Sequence, residues 1–362
     1  MAKHLKNDRI LFTTVIFLLF FGLVMVFSAS AVIADRAQGH SYYYLVRQAA
    51  WAIVGLVGMV WLMQRDYQRF RHPVVVFGLL GLVLAALVVV LFLDRTANTH
   101  RFFRLGPLSI QPSEFAKPAL ILFLAYFLER RSRSIDRLKT LIPPAVVLAA
   151  LSGLVLLGRD LGAAVVLLII TGAIFWVAGM PGRYFAVGIL VGLPLAGLAV
   201  LLEPYRVQRI FTFLDPWKDP QGKGFQIIQS MIAVGTGGLT GVGLMASKQK
   251  LYYLPAPHTD FIYAVISEEW GLVGATLVLL GFCVILWRGV RAALLASDPF
   301  GVYLAVGLTA MLVCQALINL SVALALAPTK GMPLPFLSYG GSALVCALWA
   351  TGLLLSVSQR AG

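Results

Sequence analysis

The chain has 362 residues, 60% of them hydrophobic and 12% charged, with a net charge of +14 and a mean hydropathy of +0.88. That much apolar surface excludes a soluble domain, since runs of about 18 or more apolar residues read as helices crossing a hydrocarbon core about 30 Å thick. The basic residues sit in short loops between such runs, where they orient the chain and attract anionic lipid, so the charge does not point to nucleic acid.

Taken in order, the pattern predicts an all-α integral membrane protein of ten transmembrane helices, at about 10–33, 44–63, 73–93, 114–128, 141–158, 161–179, 184–202, 260–286, 301–326 and 338–357. Lys3, Lys6 and Arg9 before the first run and Ser28-Ala-Ser-Ala31 after it outline a cleavable signal. The run from Ile10 to Phe27 is longer than a signal core of about 7 to 15 residues, so it is read as a retained span. The fourth span is the weakest: it is short, carries Glu114 and Lys117, and is interrupted by Pro118. Charge supports its inclusion. With ten spans one side collects Lys3, Lys6, Arg9, the arginines of 65–71, the basic group of 130–139, Arg183, Arg288, Arg291 and Arg360. The short loops opposite hold Arg36, Arg47, Arg95, Arg101, Arg104, Arg159 and Lys330, which puts both termini in the cytoplasm.

A long extracytoplasmic loop, about 203–259, separates spans seven and eight and carries Arg206, Arg209, Lys218, Lys223, Lys248 and Lys250. A cationic outer loop suits an anionic partner such as a lipid phosphate or pyrophosphate, unless it is simply solvated. It opens with turn-forming Asp215-Pro-Trp-Lys-Asp-Pro-Gln-Gly222, then Phe225-Gln-Ile-Ile-Gln-Ser-Met-Ile-Ala233 at amphipathic helical spacing. The glycine run Gly235-Thr-Gly-Gly-Leu-Thr-Gly-Val-Gly243 would let backbone approach a ligand, and it is not a nucleotide-binding P-loop. No repeat and no soluble domain is visible, so residues 1–362 read as one membrane domain. Cys283, Cys314 and Cys346 lie in apolar runs without paired spacing and read as packing residues.

Asp260 sits where the long loop becomes an apolar segment. A carboxylate there needs water, a cation or a substrate beside it, which makes it the first candidate for chemistry; it or Thr259 would equally serve as a helix N-cap. Glu114 and Lys117, three apart on one helical face, either line a polar cavity opposite Asp260 or clip two helices together. Arg101 and Arg104 flank two phenylalanines at the outer boundary, suited to a phosphate or to interfacial anchoring. Pro328-Thr-Lys-Gly-Met-Pro-Leu-Pro-Phe-Leu-Ser-Tyr-Gly-Gly-Ser342 breaks the helical pattern, with Lys330 and Ser338 as its polar contacts. Glu268 and Glu269 lie about 12 to 13 Å deeper along the eighth span than Asp260, where bracing is favoured over an ion path. There is no zinc pair, no nucleophile elbow and no Asp-x-Asp metal cluster, so a reaction on the outer face needs an already activated substrate.

Five segments together resemble the SEDS family (shape, elongation, division and sporulation proteins): Gly106-Pro-Leu-Ser-Ile-Gln-Pro-Ser-Glu114, Asp219-Pro-Gln-Gly222, Gln229-Ser-Met-Ile-Ala-Val-Gly235, Tyr253-Leu-Pro-Ala-Pro-His-Thr-Asp-Phe-Ile262 and Pro335-Phe-Leu-Ser-Tyr-Gly-Gly-Ser342. Ser247-Lys-Gln-Lys-Leu-Tyr-Tyr-Leu-Pro and Pro328-Thr-Lys-Gly-Met-Pro-Leu-Pro look more like its division branch than its elongation branch. The resemblance implies a peptidoglycan glycosyltransferase of the bacterial cytoplasmic membrane that polymerises lipid II into a nascent glycan strand at the outer face. It also implies a class B penicillin-binding protein and other division-complex membrane proteins as partners. By the same resemblance the catalytic aspartate falls on Asp260, the cavity glutamate and lysine on Glu114 and Lys117, and the loop arginine on Arg101. The chain departs from the family at Phe102, where a tryptophan is common, and at Ala256, where a glutamate is common in the division branch. No cofactor motif is present, and a divalent cation at the pyrophosphate stays open. A lipid II transporter and a scaffold without chemistry are the rival readings.

Overall fold

The computed structural model describes residues 8–94, 100–105, 108–251, 254 and 256–360. Lys3, Lys6, Arg95, Gly106, Pro107, Tyr252, Tyr253 and Pro255, quoted above, lie outside the described residues, as does the Arg133 side chain.

Each predicted span falls on a helix: α1 (Arg9–Gln38), α2 (Tyr43–Gln64), α3 (Pro73–Leu93), α4 (Pro112–Arg131), α5 (Leu138–Leu157), α6 (Leu161–Val177) and α7 (Gly182–Leu201), then, after two shorter helices, α10 (Ile262–Leu295), α11 (Pro299–Ala323) and α12 (Gly341–Gln359). The two shorter helices are α8 (Pro204–Leu214) and α9 (Phe225–Thr236). Among the described residues, eight helices are long and apolar enough to cross a membrane; α4 and α6 are the long helices left out of that set. The protein is an all-α membrane protein with one small hairpin, β1 (Phe103–Leu105) paired antiparallel with β2 (Leu108–Ile110).

The position of α4 explains its weak hydropathy. Pro112 opens it at a position where a missing N–H costs nothing, and from Ala116 to Ala125 every residue but Pro118 is buried. It is walled by α3, α6 and α11, so it meets protein instead of lipid and can carry charge. Conversely, none of the 20 residues of α7 is buried. Its N-terminal end is tied where the Tyr184 hydroxyl donates to the Asp136 carbonyl at 2.7 Å.

α10 is broken in its outer third. Gly271 has φ 61° and ψ −156°, a conformation open essentially to glycine alone. The backbone groups freed by this break are taken up by the glycine run. Val242 and Gly243 donate N–H to the carbonyls of Glu268 and Glu269, both at 3.0 Å. Leu272 and Val273 donate to the carbonyls of Gly238 and Leu239 at 2.9 and 3.2 Å. The close approach these glycines allow is thus made to helix α10. At Gly241, φ 83°, an added Cβ would lie 2.1 Å from the Glu269 carbonyl oxygen.

Two polar networks occupy opposite ends of the bundle. At one end Arg288 pairs with Asp8 at 2.8 Å and Arg71 with Glu129 at 3.0 Å, while Tyr67 donates to Asp298 at 2.5 Å. The other end holds the hairpin, the α5–α6 turn, α8 and the two loops that frame Asp260. Of the cysteines, Cys346 is buried and its thiol meets the Glu114 carbonyl at 3.2 Å, whereas Cys283 is exposed on the outside of α10 and is not a packing residue.

Candidate active site

The segment 258–260 precedes α10, and each of its three consecutive carbonyls accepts a hydrogen bond from another part of the chain. The Tyr339 N–H donates to His258 O at 2.8 Å, the Ser338 hydroxyl to Thr259 O at 2.5 Å, and the Asn319 amide to Asp260 O at 2.9 Å. Ser338 also receives the Leu334 N–H at 2.8 Å, and its own carbonyl is held by Gln48 at 2.9 Å. The irregular segment after α11 is thus stitched to the loop before α10, its polar groups satisfied where they sit inside protein.

The Asp260 carboxylate, by contrast, accepts no hydrogen bond among the described residues. Neither it nor Thr259 caps the helix: the N-cap of α10 is Phe261, without a side-chain cap bond. Asp260 Oδ2 lies over Gly331, where an added Cβ would come within 3.1 Å of it. Burial pushes its carboxyl up to about 6, against the pull of the Arg209 and Arg101 guanidiniums, which favour the charged form. One carboxylate thus stands between two arginines, poised near neutrality.

Each arginine is aimed by its own contacts. The N–H groups of Arg101 and Phe102 donate to Asp94 at 2.9 and 3.1 Å, and the Arg101 guanidinium donates to the carbonyls of Gly158, at 3.1 Å, and Arg159. Arg209 comes from α8, donates to Thr329 O at 2.6 Å and lies 4.5 Å over the Tyr205 ring. Arg104 is exposed on the hairpin. Lys330 is half-buried; desolvation lowers its pKa while Asp160 works against that. Asp160 itself caps α6 through Ala163 N–H at 3.1 Å and accepts from Gln111 and Ser113 at 2.9 and 3.0 Å. The His258 ring lies 4.6 Å from Tyr44 and 5.6 Å from Tyr339, and burial pushes it down to about 4, so it is neutral above that pH.

Beneath the site, Lys117 donates to Glu114 at 2.7 Å and to Gln315 at 2.8 Å, and Gln315 donates to Pro333 O at 3.1 Å. The pair is closed inside protein and reaches the site through Gln315. Glu268 accepts from Ser247 at 2.5 Å and from the Lys248 N–H at 2.9 Å. Glu269 pairs with Lys250 at 2.6 Å and accepts from Ser28 at 2.7 Å. Both carboxylates brace the loop after the glycine run, and Lys250 is not free for an anionic ligand.

The structure brings the sequence's candidates Asp260 and Arg101 together with Arg209, marked in the sequence only as one of six basic loop residues, and with Asn319, Asp160 and His258, which the sequence does not single out. Gln315 and Asn319 did carry a signal, as two amides four apart in an otherwise apolar helix. A divalent cation fits the donor set poorly: Asp260 is a single carboxylate flanked by two guanidiniums, and no group of three or more His, Cys, Asp or Glu comes together among the described residues.

Residues 8–361 match the family model described as cell cycle protein, that of FtsW, RodA and SpoVE. The chain belongs to the FtsW/RodA/SpoVE family. It is 43% identical to stage V sporulation protein E of Bacillus subtilis, covering 99% of this chain and 98% of that protein. It is 41% identical to the probable peptidoglycan glycosyltransferase FtsW of Geobacter metallireducens, covering 98% and 95% respectively. Its fold matches, at TM-score 0.80 and 34% identity over 98% of both chains, a chain from work on the structural coordination of polymerization and crosslinking by a peptidoglycan synthase complex. The SEDS resemblance is thereby borne out.

Proposed function

We propose that this member of the family is a peptidoglycan glycosyltransferase that polymerises lipid II at the outer face of the bacterial cytoplasmic membrane, with Asp260 as its general base. The observation that carries the reading is a carboxylate whose segment is fixed at three successive carbonyls, whose oxygens accept no hydrogen bond among the described residues, and whose carboxyl is lifted to about 6. A base works best when its pKa lies near the operating pH and its geometry is set in advance.

In the reaction, the 4-hydroxyl of the acceptor sugar gives its proton to Asp260 as its oxygen bonds to the anomeric carbon of the growing chain. The bond from that carbon to the pyrophosphate oxygen breaks, the configuration inverts, and undecaprenyl pyrophosphate leaves. Arg101 and Arg209 stand beside Asp260 to hold the pyrophosphate and stabilise its growing charge. Lys330 is placed to add to them, Ser338 to hold the loop, and Glu114 and Lys117 to support the floor. No step is routed through a metal ion.

The rest of the reading follows the resemblance. The chain acts as one membrane domain with both termini cytoplasmic and ten spans. It works in the division branch, beside a class B penicillin-binding protein that crosslinks its glycan and with other division-complex membrane proteins. The relation to a synthase complex supports such a partner. Transport of lipid II gains no support from Glu114, Lys117, Glu268 and Glu269, all of which are bonded inside protein. The test is gel analysis of glycan made from lipid II by the purified protein with its partner. The parental protein is expected to give polymer and Asp260→Ala none while still binding lipid II; polymer at the parental rate from the variant would refute the assignment.

A further inference from the structure

We propose that Asn319 is a positioning residue for Asp260, an inference that rests on the reading of Asp260 as the base. Asn319 lies in α11, is 2% exposed, and uses its one amide to donate to two carbonyls, that of Asp260 at 2.9 Å and that of Met332 at 2.7 Å. These two carbonyls belong to different loops, one entering α10 and the other leaving α11. Met332 follows Gly331, the residue against which the Asp260 carboxylate rests. A single amide therefore fixes both the backbone that carries the base and the wall the base lies on.

The orientation of that amide is unambiguous, because the opposite flip would aim its oxygen at two carbonyl oxygens. Among the described residues the Asn319 Oδ1 is buried and meets no donor. An unpaired buried acceptor is costly, and the two bonds that the amide donates offset that cost.

One turn earlier in the same helix Gln315 repeats the arrangement, donating to Pro333 O while accepting from Lys117. The ionic pair in α4 thus reaches the site through Gln315, and of the two amides on α11 it is Asn319 that bonds residue 260. Thr259 and His258 are held by Ser338 and Tyr339, so loss of Asn319 would free the end of the segment that bears the base while its start stays pinned.

The test uses the full chain with its penicillin-binding partner and lipid II, in parental, Asn319→Ala and Asn319→Asp forms. Lipid II binding is measured for each, so that turnover is expressed per bound substrate. Displacing a catalytic group by about 1 Å costs on the order of 100-fold. Asn319→Ala is expected to bind lipid II with unchanged KM and to turn it over about 100-fold more slowly.

Asn319→Asp keeps the volume but, when ionised, cannot donate and adds a negative charge. The charged or titratable groups around Asp260 are Arg209 from α8, Arg101 before the hairpin, His258 in its own loop, and Lys330 with Asp160. The arginines offset the new charge only in part, so the acid limb of the rate against pH is expected to move upward. Parental turnover per bound lipid II in Asn319→Ala would reduce Asn319 to a structural residue and overturn the proposal. Should Asn319→Ala fail to fold, an unmoved pH limb with parental turnover in Asn319→Asp would overturn it equally. A parental protein that makes no glycan would instead refute the reading of Asp260 and this inference with it.

Discussion

At the scale of single residues, the site separates what is held from what is free. The backbone of 258–260 is bonded at every carbonyl, while the Asp260 carboxylate meets no donor among the described residues and burial raises its proton affinity. The sign of the pH effect follows. Asp260 accepts a proton only when ionised, so kcat/KM should fall as pH drops through about 6, by up to tenfold per unit below it. His258, pushed down to about 4, is neutral throughout this range and does not set the limb. A rate profile from pH 4.5 to 8 checks this; a limb near the ordinary carboxylate range would show that Asp260 does not titrate in a buried site. Asp260 stands out in the sequence because a carboxylate at the mouth of an apolar run needs a partner or a capping role, and the structure leaves the cap to Phe261. Arg209 does not stand out, because its role depends on where α8 crosses the bundle, and nothing in the spacing of six loop cations distinguishes the one that reaches Thr329.

At the scale of elements, the fold solves the problem of irregular backbone in a bilayer twice. The break of α10 at Gly271 and the segment between α11 and α12 both leave N–H and C=O groups without helical partners, and in both cases another loop supplies them. The glycine run is the partner for the first. Gly241→Ala should therefore be among the most damaging single changes outside the site, since its Cβ would overlap the Glu269 carbonyl and its φ of 83° disfavours any side chain. A large fall in the yield and thermal midpoint of detergent-solubilised protein is expected; parental behaviour would mean that the break in α10 is not closed by this loop. The sequence showed that these glycines were special but not what they touch, since close approach to a ligand and to a helix leave the same composition. α4 carried the reverse ambiguity. Its charges read as a weakness of a membrane span, whereas they mark a helix surrounded by others. α8 is hard to see in the sequence because its eleven residues are amphipathic and open a stretch that reads as loop.

At the scale of the whole molecule, the alternation of helices separates two ends, with the Asp260 loops, the hairpin and α8 at one and the Arg71, Arg288 and Tyr67 contacts at the other. What hydropathy does not reveal is how unequally the helices share the interior. α7 reads as one span among equals, yet among the described apolar spans it is the one with no buried residue. Its outer end joins α8 through Arg206, which donates to Ala199 O at 2.6 Å and to Leu156 O at 3.4 Å, with Glu203 meeting Arg159 at 3.6 Å.

A helix with none of its residues buried, held to the protein by contacts such as Tyr184 to Asp136 and Phe185 to Trp176, is sensitive in height and tilt to the acyl chains around it. Because α7 leads straight into α8, bilayer thickness is expected to bear on how high Arg209 rides above Asp260. Polymerisation in vesicles should accordingly pass through an optimum as the phospholipid chains are lengthened, and Arg209→Ala should flatten that dependence while lowering the rate. Equal rates across thin and thick bilayers in the parental protein would show that α8 is held by its own bonds alone.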